Sequence, residues 1–217
     1  ITAVNEAADG ELEITAEGKP PGTYAPARYD VHENERPFTD YNVPAPSINH
    51  YAIVQTPGDV SGNELLLGVT APSGWGGCTV WVSDTGDSYK EAGKITAQAR
   101  IGRLAAAMTA ESTSCTVELF SGELLGGSAI DAQRGNTLIW IDGECLSYEG
   151  ATLQPDGRYL LTGLVRGQYA TTANNHAEDS QCVRIDEALF HAPYRTEDIG
   201  KKIWIKCASV NMFGSNE

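Results

Sequence analysis

Residues 136–176 alternate short β-rich runs with turn residues, and this pattern restricts the fold more than any other stretch. The apolar run 137–141 meets Asp142-Gly143, a dipeptide that tolerates the positive φ angles of a tight hairpin turn. A second run, 144–149, is followed by Pro-Asp-Gly at 155–157, which signals another reversal. The stretch therefore predicts a β-meander.

Alternation along the second run predicts how that strand is covered. Leu146 and Tyr148 fall on one face, and Cys145, Ser147 and Glu149 on the other. This pattern is typical of a strand that is buried on one side only. A third strand, presenting Tyr159, Leu161 and Val165 on one face, is then expected to end at Arg166-Gly167.

Further short runs predict an all-β chain of roughly eight to ten strands. Between residues 60 and 125, runs at 65–70, 78–83 and 116–120 are β-rich, whereas 95–108 fits a helix or strands, and its glycines favour strands. Runs at 181–186 and 202–210 follow the meander. We predict a β-sandwich-like, fibronectin-type architecture with β modules at 60–125 and 126–217, the last strands completing the sheet of the first module.

Residues 1–59 read differently, as an extended proline-rich arm or the end of an upstream domain. Leu12 and Ile14 form one short alternating strand before a series of prolines begins. Because aromatic residues stand between these prolines, we expect the arm to pack along another surface rather than to build its own core. The chain begins with Ile1, which suggests a piece of a longer polypeptide.

Charge excludes some partners. The 217 residues carry 15 Lys and Arg against 29 Asp and Glu, a formal net charge of −14. Nucleic acid and anionic membrane surfaces require a basic face, so neither is an expected partner. No apolar run is long enough to span a bilayer, so no membrane insertion is predicted.

Metal and disulfide sites are not indicated. The five cysteines are widely spaced and odd in number, and without a CxxC pair they predict buried free thiols. The four histidines are not paired at metal-ligand spacing. Asp84 and Asp87 share a turn, but that turn lacks the acidic spacing of a calcium loop. We therefore predict no metal and no cofactor.

Catalytic motifs are also missing from the sequence, which has no GxSxG, HExxH or GxxxxGK[ST] pattern. Glu144 and Glu149 could resemble the carboxylate pair of a glycosidase, but their odd offset places them on opposite faces of a strand. Solvent-facing and edge-strand roles are expected for both, and Glu144 is further expected, with Arg166, to shape a hairpin and brace the loop that leads to His176. Arg166 is expected to pair with a nearby acidic residue. We predict no catalytic residues and no enzyme activity.

Several segments in order resemble a known family. They include Trp-Gly-Gly-Cys-Thr-Val-Trp-Val-Ser at 75–83, Gly-Arg-Leu at 102–104, Ala-Thr-Leu at 151–153, Leu-Val-Arg-Gly at 164–167 and Ala-Ser-Val-Asn-Met-Phe-Gly at 208–214. Together they resemble the C-terminal part of tail-tip hub proteins of long-tailed bacteriophages and gene transfer agents, the tip attachment or host specificity family. The resemblance spans residues 40–217. This sequence differs from the family at two places. After Gly167 the family usually continues with Gly-Thr, but this chain has Tyr169-Ala170-Thr171. After His176 the family usually has a glycine, but this chain has Glu178.

The resemblance implies a structural protein of the virion tail, made in the host cytoplasm and trimeric about the tail axis. Its implied partners are other tail proteins and a host surface receptor or glycan. It implies no catalytic residues. Trp75, Tyr169 and His176 are the candidate partner contacts, because Trp75 lies in a glycine-rich loop and the other two lie in the polar loop 169–180.

An alternative function is a carbohydrate-binding or accessory module of a carbohydrate-active protein. Four tryptophans in an all-β chain motivate it: Trp75, Trp81, Trp140 and Trp204. The last three stand within apolar strands, so they are expected to pack in the core, and Trp75 is the candidate for an exposed ring.

Overall fold

The computed structural model describes residues 3–6, 12–15, 18, 43–55 and 63–214. The chain divides into two compact units, Ile1–Thr39 and Asp40–Glu217. In the first unit, β1 (Ala3–Glu6) pairs antiparallel with β2 (Leu12–Thr15). The predicted strand at Leu12 and Ile14 is thus confirmed. The proline-rich part of the predicted arm, 19–42, lies outside the described residues.

The second unit is nearly all β. Its elements, in chain order, are β3 (His50–Gln55), β4 (Glu64–Thr70), β5 (Trp75–Ser83), β6 (Lys90–Ile95), β7 (Ile101–Leu104), β8 (Ser114–Leu119), α1 (Ala129–Gln133), β9 (Leu138–Ile141), β10 (Glu144–Ser147), β11 (Gly150–Leu153), β12 (Tyr159–Thr162), β13 (Val165–Gln168), β14 (Gln181–Arg184), β15 (Phe190–Pro193), a 3₁₀ turn (Thr196–Asp198) and β16 (Trp204–Asn211). The predicted all-β, sandwich-like fold class is confirmed.

The described residues of this unit form three antiparallel sheets, with strand orders β15-β4-β3, β16-β5-β6 and β11-β12-β8-β7-β14-β9-β10-β13. The first two form a sandwich, because the β15-β4-β3 sheet packs one face on β5 through a core that contains Leu67, Val69, Cys78 and Val80. Its other face packs on the eight-stranded sheet through Leu66, with Ile101 and Val183. The β15-β4-β3 sheet is therefore the middle layer.

The eight-stranded sheet curls back on itself. Its edge strands are β11 and β13, yet two residues separate β10 from β11 and two separate β12 from β13. Because β10 pairs with β13 and β11 pairs with β12, the two edges must approach each other. The largest core cluster, which contains Ile139, Leu146, Tyr148 and Leu161, belongs to this sheet.

The last strands return to sheets that begin early in the chain. β15 pairs with β4, and β16 pairs with β5 over the whole length of both strands. The eight-stranded sheet also combines β7 and β8 with β9 to β14, so it crosses the predicted module boundary at 125/126. Strand β3 lies within the predicted arm but is part of the middle sheet, where Ala52 and Val54 are buried.

The meander prediction is partly correct. Asp142 (φ 41°) and Gly143 (φ 90°) form the expected turn between β9 and β10. The prediction that β10 is covered on one side was wrong, since all four of its residues are buried. The third predicted strand is broken, because Gly163 at φ 64° separates β12 from β13. The strand count was too low, since the described residues contain sixteen strands.

Helix α1 was not predicted. Ser128 caps it by accepting a hydrogen bond from the Asp131 backbone, and the Asp131 carboxylate accepts one from the Ser128 backbone. None of the helices in the described part of the chain is long and apolar enough to cross a membrane.

Candidate functional site

A buried carboxylate lies beneath the loop at residues 169–180, which we name the anchored loop. The tight turn at Asp142-Gly143 places Glu144 at the start of β10, paired with Ile141 of β9. Its side chain is fully buried. The expectation that Glu144 faces solvent was therefore wrong, because strands and the anchored loop cover both faces of β10. Glu149 is exposed, as expected.

Five donors satisfy the Glu144 carboxylate. Arg166 donates from Nε to Oε1 and from Nη2 to Oε2, both at 2.7 Å. The Gly167 backbone donates to Oε1 at 3.0 Å, and the Asn174 backbone donates to Oε2 at 3.0 Å. His176 Nε2 lies 2.8 Å from Oε2. Because an ionised carboxylate can only accept, this geometry places a proton on Nε2.

These contacts determine the protonation state of Glu144. Burial, the largest single influence, raises its pKa, but the hydrogen bonds from Arg166, His176, Asn174 and Gly167 together lower the pKa to about 2. The carboxylate is therefore ionised at neutral pH and forms an ion pair with the guanidinium of Arg166. The predicted pairing of Arg166 with a nearby acidic residue is confirmed.

Arg166 also ties two loops to this centre. Its Nη1 donates to the carbonyl oxygen of Thr109 at 2.7 Å, and its Nη2 donates to that of Asn174 at 2.8 Å. One side chain thus joins β10, the loop after β7 and the anchored loop. Planar guanidinium groups suit this role because their donors point in several fixed directions.

Gly167 allows the anchored loop to turn over the carboxylate. It sits in β13 at φ 61°, a left-handed conformation that favours glycine. A Cβ atom there would lie 3.1 Å from the carbonyl oxygen of Thr171 and 3.3 Å from the backbone nitrogen of Ala173. The backbone therefore approaches closely where its N–H reaches Glu144.

Backbone hydrogen bonds hold the far end of the anchored loop. His176 and Met108 exchange two of them, with N···O distances of 2.8 and 2.9 Å. The Asn175 side chain accepts one from the Ala110 backbone at 2.9 Å. Leu104 donates to Ser180, and Asp179 donates back to Leu104. The loop is consequently attached along its length, while Asn174, Asn175, Ala177 and Glu178 remain exposed.

The arrangement is suited to holding structure rather than to proton transfer. Both oxygens of Glu144 accept from donors of the protein, and the side chain has no exposed surface. A general base must reach a substrate proton, and this carboxylate cannot do so in the observed conformation. Its chemical role here is to fix Arg166, His176 and the loop backbone.

The structure places the three predicted contact residues in different environments. The His176 side chain is 1% exposed and points to Glu144, so its imidazole is not part of the surface. Tyr169 is half-buried, and its ring lies against Gly135. Trp75 is half-buried against the sandwich core, with its Nε1 atom shielded and without a hydrogen-bond partner among the described residues. Thus Tyr169 and His176 belong to the anchored loop, and Trp75 lies at the start of β5.

Sequence reasoning missed a shallow depression of about 480 Å³ on the outer face of the β16-β5-β6 sheet, where the side chains of Trp81, Tyr89, Lys206 and Ala208 line it. Trp81 was expected in the core, but it alternates with the core residues Cys78 and Val80 and is half-exposed. Lys206 Nζ lies 3.8 Å from the centre of the Tyr89 ring. The sequence signal that could have shown this is strand alternation, which places position 81 on the other face of β5 from positions 78 and 80.

The cysteines of this chain form no disulfide, and most of them are buried. All five cysteines are free, and four of them are buried, which confirms the prediction of buried free thiols for those four. Cys207 is partly exposed. Among the described residues, no three His, Cys, Asp or Glu side chains are grouped so that they could hold a metal ion.

Comparison with known proteins relates one part of the chain to a family. Residues 92–183 match the family model described as "Rcc01698-like, C-terminal", and this match covers less than half of the 217 residues. It begins within β6 and ends within β14, so it includes Glu144, Arg166, His176 and nearly all of the eight-stranded sheet. Comparison with curated proteins gave no significant match.

Proposed function

We propose that this chain is a structural component of a bacteriophage or prophage tail tip, acting in tail assembly and host attachment without catalysis. Its site of action is the virion tail. Other tail proteins are its partners, copies of the chain assemble as a trimer, and a host receptor or glycan is the target. The proposal starts from the ordered segments between residues 75 and 214 that resemble tail-tip hub proteins.

The observation that carries the proposal furthest is the exposed loop held by an ion pair whose carboxylate is fully buried. A contact surface loses less conformational entropy on binding when its backbone is already ordered. The Glu144 carboxylate holds the loop backbone in place, because it accepts hydrogen bonds from Arg166 and from the backbone of Asn174. Exposed Asn174, Ala177 and Glu178 then form a polar surface for a neighbouring subunit.

The strand pairing also suits a part that transmits position and force. β16 pairs with β5 over eight residues, and β14 lies between β7 and β9 inside the eight-stranded sheet. Early and late parts of the second unit are thereby joined by backbone hydrogen bonds. Such a body resists separation of one end from the other.

A complementation experiment tests this function. A phage or prophage that lacks the gene should regain infectious tails when it is supplied with the wild-type full-length protein. Variants Ala177→Arg and Glu178→Arg alter the exposed loop without touching the Glu144 contacts, and they should reduce tail assembly or attachment. Glu123→Arg, an exposed position outside the loop, is the matched control and should complement normally.

Two results would contradict the proposal. A full-length protein that stays monomeric at all concentrations and never enters tail particles would remove the assembly role. Normal assembly and attachment by both loop variants would remove the loop as the contact surface, even if the protein proved to be a tail component.

A second candidate, carbohydrate binding, is favoured by the depression around Trp81. Aromatic rings provide a flat apolar surface with little rotational freedom, and Lys206 adds hydrogen-bond donors. Trp81 and Tyr89 are both half-exposed there. Glycan-array binding that is lost in Trp81→Ala, with folding retained, would support this function. Loss in Trp75→Ala instead would point to the tryptophan at the start of β5.

A further inference from the structure

Two cysteines share the inner face of the sandwich on neighbouring strands. In the register of β5 and β16, Cys78 lies opposite Ser209, and Cys207 lies opposite Val80. The two cysteines are therefore diagonal neighbours, two positions apart along the pair. Cys78 and Val80 belong to the sandwich core, and Cys207 packs against it.

The two thiols influence each other's protonation. The interaction with the Cys207 thiol, together with burial, raises the pKa of Cys78, and the interaction with Cys78 lowers the pKa of Cys207. When one thiol ionises, the thiolate therefore forms at Cys207 while Cys78 keeps its proton.

Cys207 is also the accessible member of the pair. It is partly exposed, whereas Cys78 is 3% exposed. It lines a groove of about 470 Å³ between β3 and β16, together with Ile53, Leu67 and Ile205. A small reagent that enters this groove meets Cys207 first.

We propose that Cys78 and Cys207 form a redox-sensitive pair, which a low-molecular-weight disulfide such as oxidised glutathione converts into a disulfide joining β5 to β16. This modification is independent of the proposed tail function. The Cα atoms of diagonal neighbours lie about 7–8 Å apart, beyond the roughly 4.4–6.8 Å of most disulfides, so the backbones of the two strands must shift for the bond to form. β16 can make this shift because it is an edge strand of its sheet in the described part of the chain.

The exchange proceeds in two balanced steps. The Cys207 thiolate attacks one sulfur of oxidised glutathione, forming a mixed disulfide and releasing one glutathione thiolate. Cys78 then loses its proton to solvent and attacks the Cys207 sulfur, releasing the second glutathione. Overall, two protein thiols lose two electrons and two protons, and the glutathione disulfide is reduced to two thiols.

The remaining cysteines provide an internal comparison. Cys115 on β8 and Cys182 on β14 face the same core cluster, but β7 lies between their strands. Two strand spacings amount to about 9–10 Å, beyond the reach of a disulfide. Burial raises the pKa of Cys115 to about 12 and, with a smaller contribution from Glu144, that of Cys145 to about 11. These thiols should stay reduced.

The test uses the purified chain treated with oxidised glutathione, then acid-quenched, unfolded and titrated for free thiols. We expect loss of two of the five thiols and a linked peptide pair that contains Cys78 and Cys207. The oxidised protein should unfold at a higher temperature than the reduced protein, because the new bond closes a long loop. Cys182→Ser should still lose two thiols, whereas Cys207→Ser should form no disulfide.

Several outcomes would overturn the proposal: five unreacted thiols in the wild type, glutathione retained on Cys207 without exchange, a dimer linked through Cys207, or a linked peptide pair that contains another cysteine. Peptide mapping of the wild type decides the question even if Cys207→Ser fails to fold.

Discussion

Arg166 and Glu144 form two parallel hydrogen bonds of 2.7 Å across neighbouring strands, with 10% and 0% of their side chains exposed. Removing two charges from water is costly, so the pair is stable only when its other donors and acceptors are also satisfied. Here the backbone N–H groups of Gly167 and Asn174 donate the further hydrogen bonds that the Glu144 carboxylate needs. The anchored loop and the ion pair therefore depend on each other.

Loss of the cation should be far more damaging than loss of a surface charge. Arg166→Ala leaves the Glu144 carboxylate buried without its counter-ion, and we expect the free energy of unfolding to fall by about 3–5 kcal/mol. Arg166→Lys keeps the charge but loses the paired geometry, so its loss should be smaller. Urea unfolding followed by tryptophan fluorescence measures both.

Arg103→Ala is the matched control for this prediction. Like Arg166, Arg103 forms ion pairs with carboxylates, in this case those of Glu118 and Asp179. Its side chain, however, is 43% exposed. Its removal should hardly move the urea midpoint. Equal losses for Arg103→Ala and Arg166→Ala would show that burial does not set the strength of the Glu144 pair.

Acid should weaken the fold through Glu144. Its pKa falls from an ordinary value of 4.5 to about 2 in the folded chain, so its contribution to stability is complete above pH 4.5. The contribution is lost as pH falls from 4.5 to about 2 and amounts to about 3 kcal/mol. Unfolding curves of wild type and Glu144→Gln should differ at pH 6 and converge near pH 2. Glu149→Gln should keep the wild-type acid dependence.

Local signals predicted the turns and most strands, but the environment of Glu144 depends on distant residues. Asp142-Gly143 encodes its turn within two residues, so the sequence reveals it directly. The burial of Glu144 depends on Arg166, 22 positions later, and on His176, 32 positions later. Strand alternation alone assigned that carboxylate to solvent because no local pattern contains these partners.

Other differences have physical causes that the sequence partly contained. The Ser128 and Asp131 capping box is a local helix signal, but α1 is short, and its surroundings are rich in glycine, which suggested a loop. Trp81 stands in an apolar run yet faces outward, because β5 has a core on one side and the depression on the other. The curl of the eight-stranded sheet could not be predicted from the sequence, because it depends on which strands pair with each other.

Relief of backbone strain in the anchored loop should stabilise the chain. Ala170 has a φ of 60°, and a non-glycine residue in this conformation costs about 1–2 kcal/mol. Glycine loses more chain entropy on folding, so Ala170→Gly should raise the free energy of unfolding by a net of about 0.5–1 kcal/mol. Ala177→Gly, in the same loop but without a positive φ, should instead be mildly destabilising in the same urea titration. A destabilising Ala170→Gly would contradict the strain argument.

Gly68 sets the distance between the middle sheet and the eight-stranded sheet. A Cβ atom at this position would lie 2.8 Å from both Ala99 Cβ and Leu189 Cδ2, whereas its φ is not in the left-handed region. Gly68→Ala should therefore destabilise the fold by about 1–3 kcal/mol through overcrowding alone. Leu189→Ala removes one of the two obstructing groups, so the double variant should lose less stability than the sum of the single variants. Urea unfolding of the four proteins checks this relation, and strict additivity would mean that the crowding lies elsewhere.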